Sequence, residues 1–340
     1  MRYQFKFRPY QRRFLRSLTT NHGKWDIREG IILRLTDESG KVGWGEIAPI
    51  SWFGSETLEQ ALDFCRQLPV KITDETIFSI PDELPACQFG FESAWEWGDE
   101  GDNFITPNSS LLTLNSSLLT LNSSLLLYSA LLAAGEAALN QWETLWLQGY
   151  RTFKWKIGVY AIADELEIFE SLIHTLPAFT KLRLDANGGL TYEEANLWLW
   201  TCDNLKANRE LPLEIEFIEQ PLPVEQFQEM LELSTSYETA IAIDESVATL
   251  GQLAACYQLG WRGIFVIKPG IVGSPSRLRK FCHQHQIDTV FSSVFETAIA
   301  RLAALQLAAE LSRNNRAIGF GIDHFFEQEE TWLQSLWNDL

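Results

Sequence analysis

Five short motifs in the second half of the chain carry acids and amines: Lys154-Trp155-Lys156, Arg183-Leu184-Asp185-Ala186-Asn187, Glu219-Gln220-Pro221, Asp244-Glu245-Ser246 and Lys268-Pro269. Each ends or follows an apolar stretch, such as Leu182 to Leu184 or Ile264 to Ile267, that reads as a strand buried on both faces. Charged groups where buried strands end are expensive to desolvate, so they belong to a site. Alternation along a strand points Lys154 and Lys156 the same way and Trp155 toward the surrounding helices. Two neighbouring ammonium groups repel, which is expected to lower the pKa of at least one, as a lysine base requires. The same period puts Arg183, Asp185 and Asn187 on one face, while Glu219 and Asp244 end two further strands.

Three carboxylates converging from successive strands make a hard oxygen site of the kind Mg²⁺ prefers, with Mn²⁺ as a substitute. Lys268 on the following strand is expected across the barrel from Lys156. A metal between two lysines suits proton abstraction beside a carboxylate, because the enediolate formed is held by the metal. Singly, each motif is bland: a Lys-x-Lys is usually a solvated strand edge, an Asp-x-Asn a turn and an Asp-Glu a surface pair. Their joint order at strand ends is the specific signal.

The elements that must position these residues are legible in outline. From about Ser129 the pattern is strand, helix, strand, helix, with strands expected at Tyr128 to Leu132, Thr152 to Ile157, Lys181 to Asp185, Glu214 to Glu219, Ala240 to Asp244, Gly263 to Lys268, Thr289 to Ser292 and Ala317 to Gly321. Helical periodicity fills most gaps, for instance Asp164 to Leu176 and Tyr192 to Leu205. Eight such strands without a Gly-rich phosphate turn after the first fit a closed parallel barrel better than an open doubly wound sheet. The N-terminal part differs. Gly30 to Leu35 and Val42 to Glu46 read as strands joined by a turn at Glu38-Ser39-Gly40, and Thr57 caps a helix from Leu58 to Leu68, which together indicate an α+β domain.

With 340 residues, 46% of them hydrophobic, the chain can fill a barrel and a smaller domain. A formal net charge of -18 argues against a nucleic-acid partner and leaves a small anionic substrate open, provided that lysines cluster and a metal adds positive charge. No apolar segment follows the basic Met1 to Arg13 stretch, so the protein is expected in the cytoplasm, off the membrane, as a monomer or a dimer. Five scattered cysteines, Cys65, Cys87, Cys202, Cys256 and Cys282, support neither a disulfide framework nor a zinc site and read as buried thiols. His283 and His285 read as surface residues.

Between the two halves lies a tandem repeat, Asn108 to Leu114, copied at Asn115 to Leu121 and begun again at Asn122. Its leucines are adjacent and its flanks uncharged, which does not make a coiled-coil seam, and its recurring Asn and Ser make a membrane span poor. It reads as an expanded surface loop, which costs little in closure entropy.

The ordered set Lys-x-Lys, Asp-x-Asn, Glu-Gln-Pro, Asp-Glu-Ser, Lys-Pro resembles the enolase superfamily and its muconate lactonising enzyme subgroup. Arg28-Glu29-Gly30, Gly43-Trp44-Gly45-Glu46-Ile47-Ala48-Pro49 and Phe89-Gly90-Phe91-Glu92-Ser93-Ala94 are most similar to the o-succinylbenzoate synthase family within it. The resemblance implies a (β/α)7β TIM-like barrel over residues 128–321, an α+β N-terminal capping domain over residues 1–100 with residues 322–340 packing back on it, and residues 101–127 as an insertion. It implies Mg²⁺ held by Asp185, Glu219 and Asp244. Lys156 would be the base that removes the proton alpha to the ring carboxylate of 2-succinyl-6-hydroxy-2,4-cyclohexadiene-1-carboxylate, and would then help hydroxide leave as water. Lys268 would stabilise the intermediate from the opposite face, with Lys154 completing the catalytic set. Arg183, Asn187 and Glu245 would orient ligands and lysines, and Ser292, Ser293, Thr20 and Gly23 would meet the succinyl group.

Three rivals are weighed on sequence. An N-succinylamino acid racemase of the same subgroup would use Lys156 and Lys268 as opposed bases. A dipeptide epimerase would need an Asp-x-Asp that Gly319 to His324 lacks. A silent binding protein on the same barrel is the rival from another class.

Overall fold

The computed structural model describes residues 1–20, 23–99, 126–207, 213–322 and 325–326; the repeat at 108–121 lies outside the described residues. An antiparallel sheet of order β3-β2-β1-β4 is built from β1 (Arg2–Thr20), β2 (Gly23–Asp37), β3 (Val42–Ile47) and β4 (Lys71–Thr73). Helices α1 (Leu58–Gln67), α2 (Asp74–Phe78) and α3 (Pro85–Asp99) pack beside it. Thr57 caps α1 reciprocally with Gln60, and the β2–β3 turn closes on Asp37, which accepts from the amides of Ser39 and Lys41. Where α3 crosses β3, a Cβ on Gly45 would meet the Gly90 carbonyl oxygen at 2.0 Å, so backbone touches backbone and only glycine fits.

β1 was not expected as a strand. Its register with β2 is unbroken from Tyr3 to Arg13, but its buried face changes midway. Tyr3 and Phe5 face the cap's own core, whereas Tyr10 packs with Ile32, Trp44 and Ile299 toward the barrel. A change of face near Pro9 erases the two-residue alternation that marks a strand in sequence.

The barrel runs β5 (Tyr128–Leu132), α4 (Ala138–Leu147), β6 (Thr152–Lys156), α5 (Ile162–Thr175), β7 (Lys181–Asp185), α6 (Tyr192–Ala207), β8 (Glu214–Glu219), α7 (Phe227–Ser236), β9 (Ile241–Ile243), α8 (Leu250–Gln258), β10 (Ile264–Ile267), α9 (Pro269–Val272), α10 (Pro275–His285), β11 (Asp288–Phe291), α11 (Ala298–Leu311) and β12 (Ile318–Gly321). All neighbours pair in parallel, β12 pairs with β5, and a bridge between Ser292 and Gly319 joins the two ends of the sheet. The strands expected from sequence agree with these to within a residue or two. Trp155 faces outward onto Phe169 and Trp198, while Phe217, Ala242, Ile264, Val266 and Val290 fill the barrel interior below the site.

Acids of the cap bind helix N-termini of the barrel. Glu92 accepts from the Ser276 amide and the Ser274 hydroxyl at the start of α10, and Glu46 accepts from the amides of Thr297 and Ala300 at the start of α11. Ala248, Ile271 of α9 and Val294, all from the barrel, join the cap's apolar core. Of the chain end, Phe325 and Phe326 meet Phe14 of β1, and residues 327–340 lie outside the described residues. All five cysteines are buried and free. His283 is exposed on the last turn of α10, and His285 packs on Tyr257 and Phe281. Among the described residues no helix is long and apolar enough to cross a membrane.

Candidate active site

The parallel register sets Lys156 beside Asp185 and Asp185 beside Glu219, so the C-terminal ends of β6, β7 and β8 present their charges at one level. Lys156 Nζ donates to Asp185 Oδ2 at 2.7 Å and to Asn187 Oδ1 at 2.5 Å. Asn187, its backbone in the left-handed region at φ 46°, donates from Nδ2 to Glu245 Oε1 at 2.8 Å. Lys154 Nζ lies 2.8 Å from both Asp185 Oδ2 and Glu219 Oε1. Lys268, which follows β10, pairs with both oxygens of Asp244, and its ammonium stands 4.1 Å from the centre of the Phe53 ring.

Burial and charge set the protonation of this cluster. Burial works against the charge of Lys154, but Asp185, Glu219 and Asp244 around it hold its pKa well above the ordinary lysine value. At Lys154 lysine repulsion does not prevail: carboxylates touch this ammonium, and opposite charge outweighs the second lysine. Burial would raise Asp185, yet Lys154 and Lys156 hold it well below the usual carboxylate range. Burial, reinforced by Asp185 and opposed by Lys154, pushes Glu219 up to about 7. Burial also raises Asp244, against the pull of Lys268, and Glu245.

A pocket opens over this cluster. Lys154, Lys156, Asp185, Asn187, Asp244 and Lys268 form its floor, Ser292 and Ser293 one side, and Leu18, Trp25, Trp52 and Phe53 of the cap its roof. Ser293 Oγ is engaged with Glu296. Thr20 pairs with Gly23 at the hairpin end where β1 meets β2, and Leu18 and Trp25, on either side of that end, line the pocket. Arg183 is inside the barrel but turned to Glu216, at 2.7 Å, and to the Phe217 ring; it reaches none of Asp185, Glu219, Asp244 or the lysines. A shift in register between Leu182 and Arg183 brings this about.

Sequence reading gave no role to Gln220, Phe53, Trp25 or Phe295. Gln220 is fully buried with φ 38°; its Oε1 accepts from the amides of Asp244 and Ser246, and its Nε2 donates to Ser246 Oγ and the Leu222 carbonyl. It ties the end of β8 to the end of β9, and its place inside Glu219-Gln220-Pro221 was the only signal for it.

The donor set fits a hard divalent cation. Two carboxylate oxygens from different strands already converge on one positive charge, the Lys154 ammonium, and Glu245 Oε2 is buried without a hydrogen-bond partner. Among the described residues, no three or more His, Cys, Asp or Glu side chains are drawn together as a ready metal cage.

The family model Enolase C-terminal domain-like matches residues 137–335, and MenC, N-terminal domain matches residues 7–96. An o-succinylbenzoate synthase from Thermosynechococcus vestitus is 40% identical over 326 residues, covering 95% of this chain and 93% of that protein. One from Yersinia enterocolitica is 30% identical, covering 84% and 80%. The solved o-succinylbenzoate synthase of Thermosynechococcus elongatus BP-1, complexed with Mg in its active site, superposes with a TM-score of 0.82 at 37% identity, covering 99% of this chain and 100% of that one. The L-Ala-D/L-Glu epimerase of Bacillus subtilis, with a TM-score of 0.75 at 20% identity and coverage of 95% and 90%, shares the fold. With a family model over more than half of its length and a relative 40% identical along nearly all of it, this chain belongs to the enolase superfamily, within the o-succinylbenzoate synthase family of the muconate lactonising enzyme subgroup.

Proposed function

We propose that this protein is an o-succinylbenzoate synthase, a lyase that removes water from 2-succinyl-6-hydroxy-2,4-cyclohexadiene-1-carboxylate to give 2-succinylbenzoate in menaquinone or phylloquinone biosynthesis. The observation that carries the reading is the pair Lys156 and Lys268, which line one pocket from separate strand ends together with Asp185 and Asp244. The relatives that share both family models and most of the chain's length support it.

In this reading Asp185, Glu219 and Asp244 would hold Mg²⁺. When bound, that ion supplies Lewis-acid stabilisation of the negative charge that the substrate carboxylate gains. Lys156 removes the ring proton alpha to the carboxylate and gives it to the departing hydroxyl, so one group serves both halves of a syn elimination and ends as it began. Lys268 faces the developing charge from its own strand end, beside the Phe53 ring. Asn187 and Glu245 orient Lys156, Arg183 braces the barrel beneath, and Ser292 and Ser293 meet the succinyl arm. Residues 1–100 act as the cap and 128–321 as the catalytic barrel. Five free thiols suit a reducing cytoplasm.

The test is the loss of diene absorbance in the ultraviolet with Mg²⁺, run beside Lys156→Ala and a chelated control. Turnover abolished in both controls supports the assignment. An intact, metal-loaded protein that leaves the diene unchanged, yet exchanges the alpha proton of an N-succinyl amino acid with deuterium, would make it a racemase.

A further inference from the structure

Arg28 is 1% exposed, and among the described residues its partners are carbonyls and not carboxylates. Nε donates to the Val294 carbonyl at 2.8 Å, Nη1 to those of Pro49 at 2.9 Å and Glu29 at 2.6 Å, and Nη2 to that of Ala48. Five donors in a rigid fork suit one group to three chain segments at once, which a lysine or a neutral amide cannot match. Glu46 is fully buried as well. Its carboxylate accepts from the Thr297 amide at 3.0 Å, from the Thr297 hydroxyl, from the Ala300 amide at 3.3 Å and from the Tyr10 hydroxyl. Both residues come from strands of the cap, and both act on one short stretch of the barrel, the turn between β11 and α11.

That turn has an unusual backbone. Ser292, Ser293 and Phe295 line the pocket, while Val294 between them points into the core of the cap. Phe295 lies at φ 60°, a left-handed conformation that an aromatic residue adopts only when its surroundings impose it. The imposed conformation has a product: the Phe295 ring meets Phe14 at 5.3 Å and Trp25 at 5.6 Å, both edge-on, and closes the pocket wall beside Ser293. Arg28 holds the turn on one side of Phe295, through Val294, and Glu46 holds it on the other, through Thr297.

We infer that Arg28 and Glu46 are positioning residues for substrate recognition, acting from the cap on both ends of the β11–α11 turn to present Ser293 and Phe295 to the pocket. The inference rests on the reading that this pocket receives the succinyl-bearing substrate. Neither residue touches Lys156, Lys154 or Lys268, so the clamp governs how the ligand is gripped and leaves proton transfer alone.

The test uses full-length Arg28→Met, Arg28→Lys and the isosteric Glu46→Gln, which carries the test if Arg28→Met does not fold. Hydrogen–deuterium exchange over residues 292–297 is expected to speed up in Arg28→Met and Glu46→Gln, and it reads the clamp with no ligand present. KM for the diene, and the dissociation constant of 2-succinylbenzoate measured by tryptophan fluorescence with Mg²⁺, are expected to rise about tenfold or more with kcat within about threefold, and Arg28→Lys to fall between. Unchanged exchange in a folded variant would overturn the clamp. So would a loss confined to kcat, or faster exchange with KM and product affinity unaltered. Wild-type protein that neither turns over the diene nor binds 2-succinylbenzoate would instead overturn the reaction, and exchange would still decide whether Arg28 and Glu46 hold the turn.

Discussion

Lys154 on β6 donates to Glu219 on β8 across 2.8 Å, reaching past the intervening β7, whose Asp185 the same ammonium also meets. The mouth of the barrel therefore already gathers acids from two strands around one positive charge. Lys154→Met removes that charge and leaves two buried carboxylates facing each other. Breaking one partner of a buried ionic cluster costs about 3–5 kcal/mol, so the metal-free variant is expected to melt several degrees below wild type. Saturating Mg²⁺ should restore most of the loss, because a cation on the same acids replaces the missing one. Thermal melts with and without Mg²⁺ check this; a deficit that Mg²⁺ does not reduce would show that the acids are not poised for a metal.

Lys156→Ala takes away the group that lies nearest both Asp185 and Asn187. Loss of a positioned general base lowers the rate by about 10²- to 10⁴-fold, so turnover of the diene is expected to fall into that range or below. Mg²⁺ affinity, measured by calorimetry, should stay within a few-fold of wild type, since Asp185, Glu219 and Asp244 remain. Activity within tenfold of wild type would exclude Lys156 as the base.

Much of this site is legible in sequence because buried parallel strands write themselves as apolar runs, and a charged residue closing such a run stands out. Lys154, Lys156, Asp185, Glu219, Asp244 and Lys268 were found that way, and the structure gathers them at one end of the barrel. Arg183 was read with them on strand period and on the family resemblance. The register shift beside it hands it to Glu216, and no residue type marks such a shift. β1 was missed because its buried face changes near Pro9, and the hold of the acids on Lys154 was not foreseen because spacing along a strand says nothing of groups arriving from other strands. Gln220 does its work between two strand ends, a relationship that exists only once the barrel has closed.

Burial holds the carboxyl of Glu219 up at about 7, above its ordinary value of 4.5. A raised folded-state pKa means that the metal-free fold gains stability from the protonated group at low pH and loses it as pH rises through about 7. Mg²⁺ needs the ionised form, so it competes with a proton below that pH and meets no competition above it. The rise in melting temperature on adding Mg²⁺ should therefore be larger at pH 8 than at pH 6. Glu219→Gln should flatten that difference. A Mg²⁺ effect independent of pH between these values in wild type would remove Glu219 from the binding group.

Gln220→Leu keeps the approximate volume of a fully buried side chain but removes the acceptor for two backbone amides, Asp244 N at 3.0 Å and Ser246 N at 3.2 Å. Each buried donor left unpaired costs about 1–3 kcal/mol, so the fold weakens. The more telling effect is on geometry. Asp244 follows β9, Gln220 accepts from its amide, and its carboxylate pairs with Lys268. Loss of a group that orients a metal ligand lowers metal affinity by about 10- to 100-fold, and Gln220→Leu is expected to do so while retaining a folded barrel. Calorimetric Mg²⁺ titration beside a thermal melt separates the two roles. A lower melting temperature with unchanged Mg²⁺ affinity would make Gln220 a strut of the barrel mouth that does not aim Asp244.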